Sequence, residues 1–221
     1  MSPEQTPEYR SEIILDKLLA SRRSVRTYTS KPVPEQMIRS MVAAAMTAPS
    51  PSNSQPVRFL NIVSEPMKDA LKKQMDAGFL RLSSMAKTLE KPRKTINVIN
   101  YYWRYATFML DAPVLMAVAT VSQENSFSHR LKQANLLAAD FRENTDIDIT
   151  TGLSLAAFIL KALELGLGTC ILTAPLFFVQ DPGFLSQEKG LHIKCFVTIG
   201  FSDETPVQPG RLSMEQVYSH V

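Results

Sequence analysis

The stretch RRSVRTYTSKPVPEQMIRSMVAAAMTAPSPSNSQPVRFLNIV, residues 22–63, decides the fold of this 221-residue chain. It opens with three arginines within five positions, and the β-branched and aromatic residues at 25–29 then favour an extended backbone. A helical pattern follows Pro34, and a loop with three prolines and three serines at 49–56 ends it. A short apolar strand at 57–63 comes next, so extended, helical and strand segments are mixed within this one stretch.

The same mixture continues to the end of the chain. Residues 9–20 and 66–110 have helical patterns, residues 122–148 are polar with a helical part, and strands are predicted at 112–120, 169–175 and 191–201. Because helices and strands are mixed and no segment repeats, we predict an α+β fold in a single domain over residues 1–221. A polar tail covers about residues 1–8, and a C-terminal arm covers about residues 205–221.

The most apolar predicted helix is TTGLSLAAFILKALELGLG, residues 150–168, in which Lys161 and Glu164 are the only charges. A helix that is apolar on every side has to be buried on every side. We therefore expect either a central helix or a helix shared between two subunits. Gly166 and Gly168 follow a helix and precede a strand, which reverses the order found in a dinucleotide-binding loop, so we interpret them as a helix cap and a turn.

The composition is ordinary for a soluble globular protein and gives little indication of a macromolecular partner. Net charge is only +3 and most basic residues are scattered, so we expect no nucleic-acid surface. No apolar run approaches the ~20 residues that span a bilayer, and the N-terminus does not resemble a signal peptide, so we expect no membrane partner and a cytoplasmic location. Cys170 and Cys195 lie in apolar segments, which predicts buried free thiols. The three dispersed histidines predict no metal site.

The arginine-rich segment would place alternate polar side chains on one face of an extended chain. Arg22, Ser24 and Arg26 would point together over ~13 Å. Two guanidinium groups and a hydroxyl suit a phosphate and a second acceptor along the same ligand, but a solvated basic turn is an equal alternative for the segment alone. The small hydroxyl and amide side chains of APSPSNSQP, residues 48–56, could wrap a planar polar ligand, although such residues are also ordinary in turns.

Together the two motifs resemble the N-terminal signature of the nitroreductase flavoprotein family. The resemblance continues in the same order through LDAPVLMAVAT, the helix at 150–168, TCILTAPL, KCFVTIGF and GRLSMEQV, from about residue 15 to the end. It implies an α/β/α sandwich with a mixed central sheet, assembled as an intertwined homodimer with two FMN molecules at the interface. The C-terminal arm could then cross to the partner subunit.

The resemblance also implies cofactor-binding roles for residues of this chain. Arg22, Arg23 and Ser24 would hold the FMN phosphate together with Arg211, and Arg26 would reach the pyrimidine end of the flavin ring. The 49–53 loop would line the ring with the support of Gln55, and Thr173 would donate a hydrogen bond to the central nitrogen of the flavin. The full predicted set is Arg22, Arg23, Ser24, Arg26, Pro49, Ser50, Pro51, Ser52, Asn53, Gln55, Leu172, Thr173, Ala174 and Arg211. No catalytic acid or base stands out, since a flavin carries the electron chemistry itself.

The implied activity is that of an NAD(P)H oxidoreductase that reduces nitroaromatic, quinone-like or related conjugated acceptors by a ping-pong mechanism. The electron donor would be NADH or NADPH. This chain departs from the family pattern in having Pro209 and Gly210 where a lysine is common and Pro51 where serine or glycine is common. Its TAPL sequence is similar to the subgroup that includes iodotyrosine deiodinase. Two alternatives therefore stay open: a flavin carrier, sensor or flavin-consuming protein without NAD(P)H turnover, and a reductive dehalogenase-like member.

An aromatic group lies near the end of the helical region 66–110 and consists of Tyr101, Tyr102, Trp103, Tyr105 and Phe108. These rings could close over the flavin as a lid, or they could pack a helix against its neighbours. Because tryptophan and tyrosine dominate cores and interfaces, helix packing is the favoured interpretation.

Overall fold

The computed structural model describes residues 12–122, 127–137, 145–185 and 190–220. Its strands are β1 Val57–Asn61, β2 Val114–Val121, β3 Gly168–Leu172 and β4 Leu191–Gly200, each overlapping a predicted strand. Its α-helices are α1 Glu12–Ser21, α2 Glu35–Ala45, α3 Glu65–Lys87, α4 Pro92–Thr107, α5 Phe127–Gln133, α6 Thr145–Glu164 and α7 Met214–Val217. None of these helices is long and apolar enough to cross a membrane. The predicted N-terminal tail, and part of the polar region 122–148, lie outside the described residues.

The strands form one sheet in the order β1-β2-β4-β3, and every neighbouring pair is antiparallel. Val57 of β1, for example, lies opposite Thr120 of β2. This differs from the mixed sheet that the resemblance implied, because the only parallel pairing within the described residues is an isolated bridge between Ser24 and Thr169. The segment 22–26 runs beside the start of β3 for a single bridge and does not become a strand.

Helices cover both faces of the sheet, which confirms an α+β fold with an α/β/α sandwich. Residues of β2 alternate between two apolar clusters: Leu115 and Ala117 face one, and Met116 and Val118 face the other. Both faces of this strand are therefore buried, as its unbroken apolar sequence predicted. The first cluster includes side chains of α3 and α4, and the second includes side chains of α2 and α6.

One side of α6 remains exposed in the single chain. Phe158 and Ala162 are fully buried, whereas Ile149 is 60% and Leu153 is 44% exposed, and Gly152 between them is exposed as well. The described residues therefore exclude a fully enclosed central helix. The other predicted arrangement, a helix shared between subunits, is compatible with these uncovered apolar side chains.

Two predicted elements are shorter than the sequence pattern indicated. The helical region 66–110 is divided, because α3 ends at Lys87 and Pro92 can begin a helix but cannot continue one. A 3₁₀ turn, Phe108–Asp111, then leads to β2. The predicted strand 169–175 ends at Leu172, since its last residues belong to a second 3₁₀ turn, Ala174–Phe177.

Both cysteines are free and buried, as predicted. Burial raises the pKa of the Cys195 thiol to about 12. Burial also raises the pKa of the Cys170 thiol, although the nearby Arg26 guanidinium and a hydrogen bond with Ser24 act in the opposite direction. Both thiols therefore remain protonated near neutral pH, which makes them poor nucleophiles.

Candidate functional site

The arginine segment, residues 22–26, follows α1 and is fastened to the start of β3. The amide of Val25 donates to the carbonyl of Thr169 at 2.9 Å. The Val25 side chain is buried against Gly168, where a Cβ atom would lie 2.7 Å from it. Gly168 is thus a site of close approach and not the predicted turn. Gly166, with φ +76°, is the predicted helix cap.

Tyr28 fixes the residues that follow this segment. Its hydroxyl donates to the carbonyl of Val25 at 2.6 Å and lies 2.7 Å from the hydroxyl of Thr198. Burial raises the pKa of the Tyr28 phenol, so it keeps its proton over the ordinary pH range. The backbone of the arginine segment is therefore tied to both β3 and β4.

Glu204 holds the segment from its other side. Its carboxylate accepts hydrogen bonds from the backbone amides of Arg26 and of Thr27, the latter at 3.0 Å. Glu204 was not among the predicted site residues. The available signal was an acidic side chain just after the last strand, in FSDETP, but nothing local connects it with residues so far away in the chain.

The three arginine side chains have different surroundings. Arg23 donates from Nη2 to Gln208 Oε1 at 2.7 Å and from Nη1 to a backbone carbonyl of α1 at 2.7 Å. Arg22 makes no side-chain hydrogen bond or ion pair with the residues that the structure describes. The guanidinium carbon of Arg26 lies 5.6 Å from the ring centroid of Tyr105. Arg22 and Arg26 are thus available to an anion, whereas Arg23 ties α1 to the C-terminal arm.

The contact with Gln208 also locates Arg211. Three extended residues reach at most about 11 Å, so the Cα of Arg211 lies within that distance of the Cα of Gln208. The Arg211 side chain is exposed, and the short helix α7 that follows begins with a capping box between Ser213 and Gln216. The arm therefore limits how far Arg211 can lie from Gln208, but no contact joins Arg211 to the arginine segment among the described residues.

The predicted ring-lining loop, residues 49–55, has an unusual backbone that it supports by itself. Ser52, Asn53 and Gln55 have φ values of 52°, 53° and 45°, a left-handed region that residues other than glycine rarely adopt. Gln55 stabilises this shape, because its backbone amide donates to Ser50 Oγ at 3.0 Å and its side-chain Nε2 donates to Asn53 Oδ1 at 3.2 Å. Such clusters of strained residues are typical of ligand-binding loops.

A cavity of about 460 Å³ lies between this loop, α2, β1 and the first turns of α6. Ser50 and Gln55 line it on the loop side, and Thr150 and Ser154 line it on the helix side. These two hydroxyl residues were not among the predicted site residues, because the apolar residues around them dominate the helical pattern. Their spacing of four positions, which places them on one face, was the signal that could have identified them.

A second cavity, of about 370 Å³, lies towards the other end of α6. Arg22, Arg23 and Glu204 line it, together with Leu163 of α6. At ~1.5 Å per residue, Leu163 and the Thr150 of the first cavity are about 20 Å apart along the helix axis. Two groups of predicted residues therefore lie at opposite ends of α6. The loop group includes Ser50 and Gln55, and the arginine group includes Arg22 and Arg23.

The predicted residues of TAPL form the turn after β3. The side chain of Leu172 is buried in the core, Thr173 is exposed, and Ala174 begins the 3₁₀ turn. Helix α4 lies against this turn, where the rings of Tyr102 and Phe177 are 6.3 Å apart. The turn and the arginine segment thus contact the same helix.

The aromatic residues of α4 divide between packing and exposure. Trp103 stacks on Phe79 with ring centroids 4.6 Å apart, which confirms helix packing for this ring. Tyr101, Tyr102 and Tyr105 are instead 56%, 45% and 40% exposed. Packing on the neighbouring helix is therefore confirmed for the tryptophan, whereas for the tyrosines, which are partly exposed in the single chain, it stays a prediction.

Comparison with known proteins identifies the family. The Nitroreductase family profile matches residues 19–201. A segment of 70 residues is 37% identical to iodotyrosine deiodinase 1 of Rattus norvegicus, covering 32% of this chain and 24% of the rat protein. The chain spans between 24% and 58% of the length of four of its curated relatives.

Solved structures share the fold at low sequence identity. A BluB-like flavoprotein from Clostridium difficile 630 has a TM-score of 0.75 and 20% identity, with 94% of this chain and 98% of that chain covered. The NADPH:FMN oxidoreductase of Vibrio harveyi, complexed with NAD+, has a TM-score of 0.64 and 15% identity, with 94% of this chain and 76% of that chain covered. Since the family profile covers most of the chain and the sandwich is shared, this protein belongs to the nitroreductase family.

Proposed function

We propose that this protein is an FMN-dependent oxidoreductase that takes electrons from NADH or NADPH and passes them to nitroaromatic, quinone-like or related conjugated acceptors. The observation that carries the proposal is the arginine group. The Arg22 guanidinium has no hydrogen-bond or ion-pair partner among the described residues, and Arg22 lines a cavity with Arg23. Ser24 follows these two arginines in the chain. Guanidinium forks and a hydroxyl are the groups that bind a phosphate well.

FMN fits the donors that the chain offers. The arginine group would hold the phosphate, and the exposed Thr173 and Arg26 would lie towards the ring. Glu204 adds a negative charge to the same cavity, but its carboxylate is already engaged by two backbone amides. Pro209 and Gly210 leave the phosphate without the lysine that is common in the family, so Arg22 has a larger share of the binding.

A homodimer would bring the two groups of predicted residues together. The exposed side of α6 carries Ile149 and Leu153, and the neighbouring α1 exposes Leu15 and Leu19. If two copies of α6 pack antiparallel around a two-fold axis, the N-terminal end of one helix lies beside the C-terminal end of the other. The 49–55 loop of one protomer would then face the arginine segment of its partner, and each site would need both chains.

The residues of the chain would contribute binding, orientation and charge. When bound, FMN supplies an isoalloxazine ring that accepts a hydride from a reduced nicotinamide and returns the electrons to an acceptor. Arg26 would stabilise negative charge at the pyrimidine end of that ring. The Thr173 hydroxyl would donate a hydrogen bond to the central nitrogen, and the loop would exclude water from one side. Donor and acceptor would occupy the same place in turn, which gives ping-pong kinetics.

Purified protein tests this proposal directly. We expect it to bind FMN, either as isolated or after addition, and to lose the flavin absorbance band rapidly when mixed anaerobically with NADH or NADPH in a stopped-flow instrument. Protein that stays colourless after FMN is added would overturn the proposal. Tight FMN binding without bleaching by either nicotinamide would favour a flavin carrier or sensor instead.

A second candidate function is reductive dehalogenation. It is favoured by the exposed Thr173 in the TAPL turn and by the 37% identity over 70 residues to a protein named iodotyrosine deiodinase 1. Iodide release from 3-iodotyrosine by the dithionite-reduced, FMN-loaded protein distinguishes it from nitroaromatic reduction. Reduction of nitroaromatics without any iodide release would rule this candidate out.

A further inference from the structure

The cavity between the 49–55 loop, α2, β1 and the first turns of α6, which we call the loop cavity, contains an unpaired buried hydroxyl. Ser154 is only 4% exposed, yet its hydroxyl makes no hydrogen bond with the residues that the structure describes. Every fully enclosed side-chain oxygen or nitrogen atom of those residues has a partner, so the Ser154 hydroxyl must be reached from the loop cavity that it lines. A buried hydroxyl of this kind is costly unless something in the cavity bonds to it.

Other groups that line the loop cavity can bond to the same molecule. Thr150 lies one turn before Ser154 on α6, and its hydroxyl donates to the carbonyl of Asp146 at 3.0 Å, which leaves its oxygen free to accept. Ser50 and Gln55 supply a hydroxyl and an amide from the loop. The loop cavity therefore offers both donors and acceptors from two different elements.

The rest of the lining limits the charge and shape of a ligand. Val42 and Phe59 add apolar surface, and the Phe59 ring is fixed by stacking on Phe158 with centroids 5.0 Å apart. Arg58 is charged, and no acidic side chain lines the loop cavity in the described part of the chain. A volume of about 460 Å³ is within the usual range for small-molecule sites. These properties suit a neutral or anionic molecule that has a flat apolar part and several hydroxyl groups.

We propose that the loop cavity binds the adenosine half of the NADH or NADPH electron donor and that the Ser154 hydroxyl bonds to this adenosine. The inference rests on the proposed function and adds a second subsite to it. The loop that would line the flavin ring and the loop cavity share Ser50 and Gln55, so a nicotinamide stacked on that ring would have the rest of its dinucleotide beside the cavity. Adenosine supplies a flat base for the apolar lining and ribose hydroxyls for the polar groups.

Titration calorimetry of the FMN-loaded protein with AMP as the probe tests the proposal. The test variant is Ser154→Ala, and the matched control is Thr151→Val, because the Thr151 hydroxyl is buried on the same helix but donates to the carbonyl of Ile147 at 2.8 Å. Loss of one hydrogen bond should weaken AMP binding about fivefold in Ser154→Ala, with a change of less than about twofold in Thr151→Val. Nicotinamide mononucleotide, which has no adenosine, should bind equally to all three proteins.

Thermal unfolding without ligand distinguishes a ligand contact from a structural role of Ser154. Because its hydroxyl has no partner among the described residues, Ser154→Ala should unfold at the same temperature as the wild type or at a higher one. A lower melting temperature would mean that the hydroxyl stabilises the fold, and the proposal would then be wrong.

Further outcomes would also overturn the proposal. They are no binding of AMP to the wild type at millimolar concentration, an unchanged AMP affinity in Ser154→Ala, or AMP binding no tighter than that of ribose 5-phosphate. NAD+ should displace AMP, and AMP that NAD+ leaves bound would identify a separate adenine-nucleotide site instead of a donor site. Weaker self-association of Ser154→Ala in sedimentation would show that a second copy of the chain fills the loop cavity.

The same titration on FMN-free protein separates this proposal from the proposed function. If the protein does not bind FMN, the proposed function fails, and AMP binding by the FMN-free protein still decides whether the loop cavity recognises adenosine. If FMN binds and is bleached by a nicotinamide while Ser154→Ala keeps its AMP affinity, only the adenosine subsite fails.

Discussion

At its N-terminal end α6 meets a loop that holds its own shape, and at its C-terminal end it meets a segment in which two of the three arginine side chains have no hydrogen-bond or ion-pair partner among the described residues. Gln55 bonds to Ser50 and Asn53 within the loop, so the loop needs no ligand to keep its conformation. The arginine segment is held by its backbone and by the side chains of Arg23 and Val25, while the Arg22 and Arg26 guanidinium groups make no hydrogen bond or ion pair among the described residues. The loop end is therefore preformed, and under the proposed function the arginine end would be completed by the FMN phosphate.

The largest expected effect comes from disrupting the exposed side of α6. In the proposed homodimer this surface would bring the 49–55 loop of one protomer to the arginine segment of its partner. Leu153→Glu places a charge on the exposed side of α6, once in each protomer. Burial of each of the two leucine side chains contributes ~1.5–3 kcal/mol to association, and the substitution removes both contributions. The dissociation constant of the dimer should therefore rise roughly 1,000-fold. Sedimentation velocity over a concentration series measures this change.

A matched control for that substitution is Leu80→Glu. Leu80 is 65% exposed and lies on α3, which packs on the other face of the sheet. It should leave the association unchanged. A dimer equally stable with Leu153→Glu would show that α6 is not the interface.

Arg22→Ala tests the arginine end alone. Hydrogen bonds from a guanidinium to a phosphate contribute about 1.5–3 kcal/mol, so FMN affinity should fall roughly 100-fold. Titration of FMN fluorescence measures the dissociation constant. Arg39→Ala is the control, because Arg39 is exposed on α2 and pairs only with Glu35 among the described residues. Equal affinity in Arg22→Ala and wild type would remove Arg22 from the phosphate site.

Glu204→Ala removes the carboxylate that holds the backbone amides of Arg26 and Thr27 and leaves the arginine side chains unchanged. Loss of the acceptor for two amides should lower FMN affinity by about fivefold to tenfold, the effect of about 1 kcal/mol of lost positioning. Glu204→Gln keeps an acceptor oxygen and should bind FMN at least as well as wild type, since it also removes a negative charge from the cavity. The assignment fails if alanine and glutamine behave alike.

The smallest effect is expected at the preformed loop. Ser52→Gly relieves a left-handed backbone that costs ~1–2 kcal/mol, but it also loosens the unfolded chain, so the net stabilisation should be about 0.5 kcal/mol. Ser40→Gly, in the middle of α2, should instead destabilise by about 0.5 kcal/mol or more. Urea unfolding measures both changes. Destabilisation by both substitutions would mean that the left-handed backbone at Ser52 carries no strain.

Those parts of the fold that depend on local sequence could be predicted. The apolar run of β2 implied burial on both faces, and the proline-rich loop implied the end of α2, because each signal lies within the element itself. The boundary errors have local causes as well. Pro92 divides a helical pattern, and Pro175 accompanies the early end of β3.

Much of the candidate site could not be predicted because its contacts join distant parts of the chain. Arg23 and Gln208 are 185 positions apart, and Glu204 reaches back to Arg26 over 178 positions. No periodicity or motif encodes such pairs. The separation of the two motifs by α6 was also not evident, because sequence spacing does not show which end of a buried helix each motif contacts.

The link between Arg23 and Gln208 leaves the rest of the arm as an exposed chain that a protease can reach. Arg211 is exposed and is followed by Leu212, so trypsin should cut after Arg211 in the FMN-free protein and release residues 212–221. A phosphate held by Arg211 would immobilise this peptide bond and slow the cut. The apparent mass of the digested chain on a denaturing gel would then show whether the phosphate site is filled, before any substrate is known.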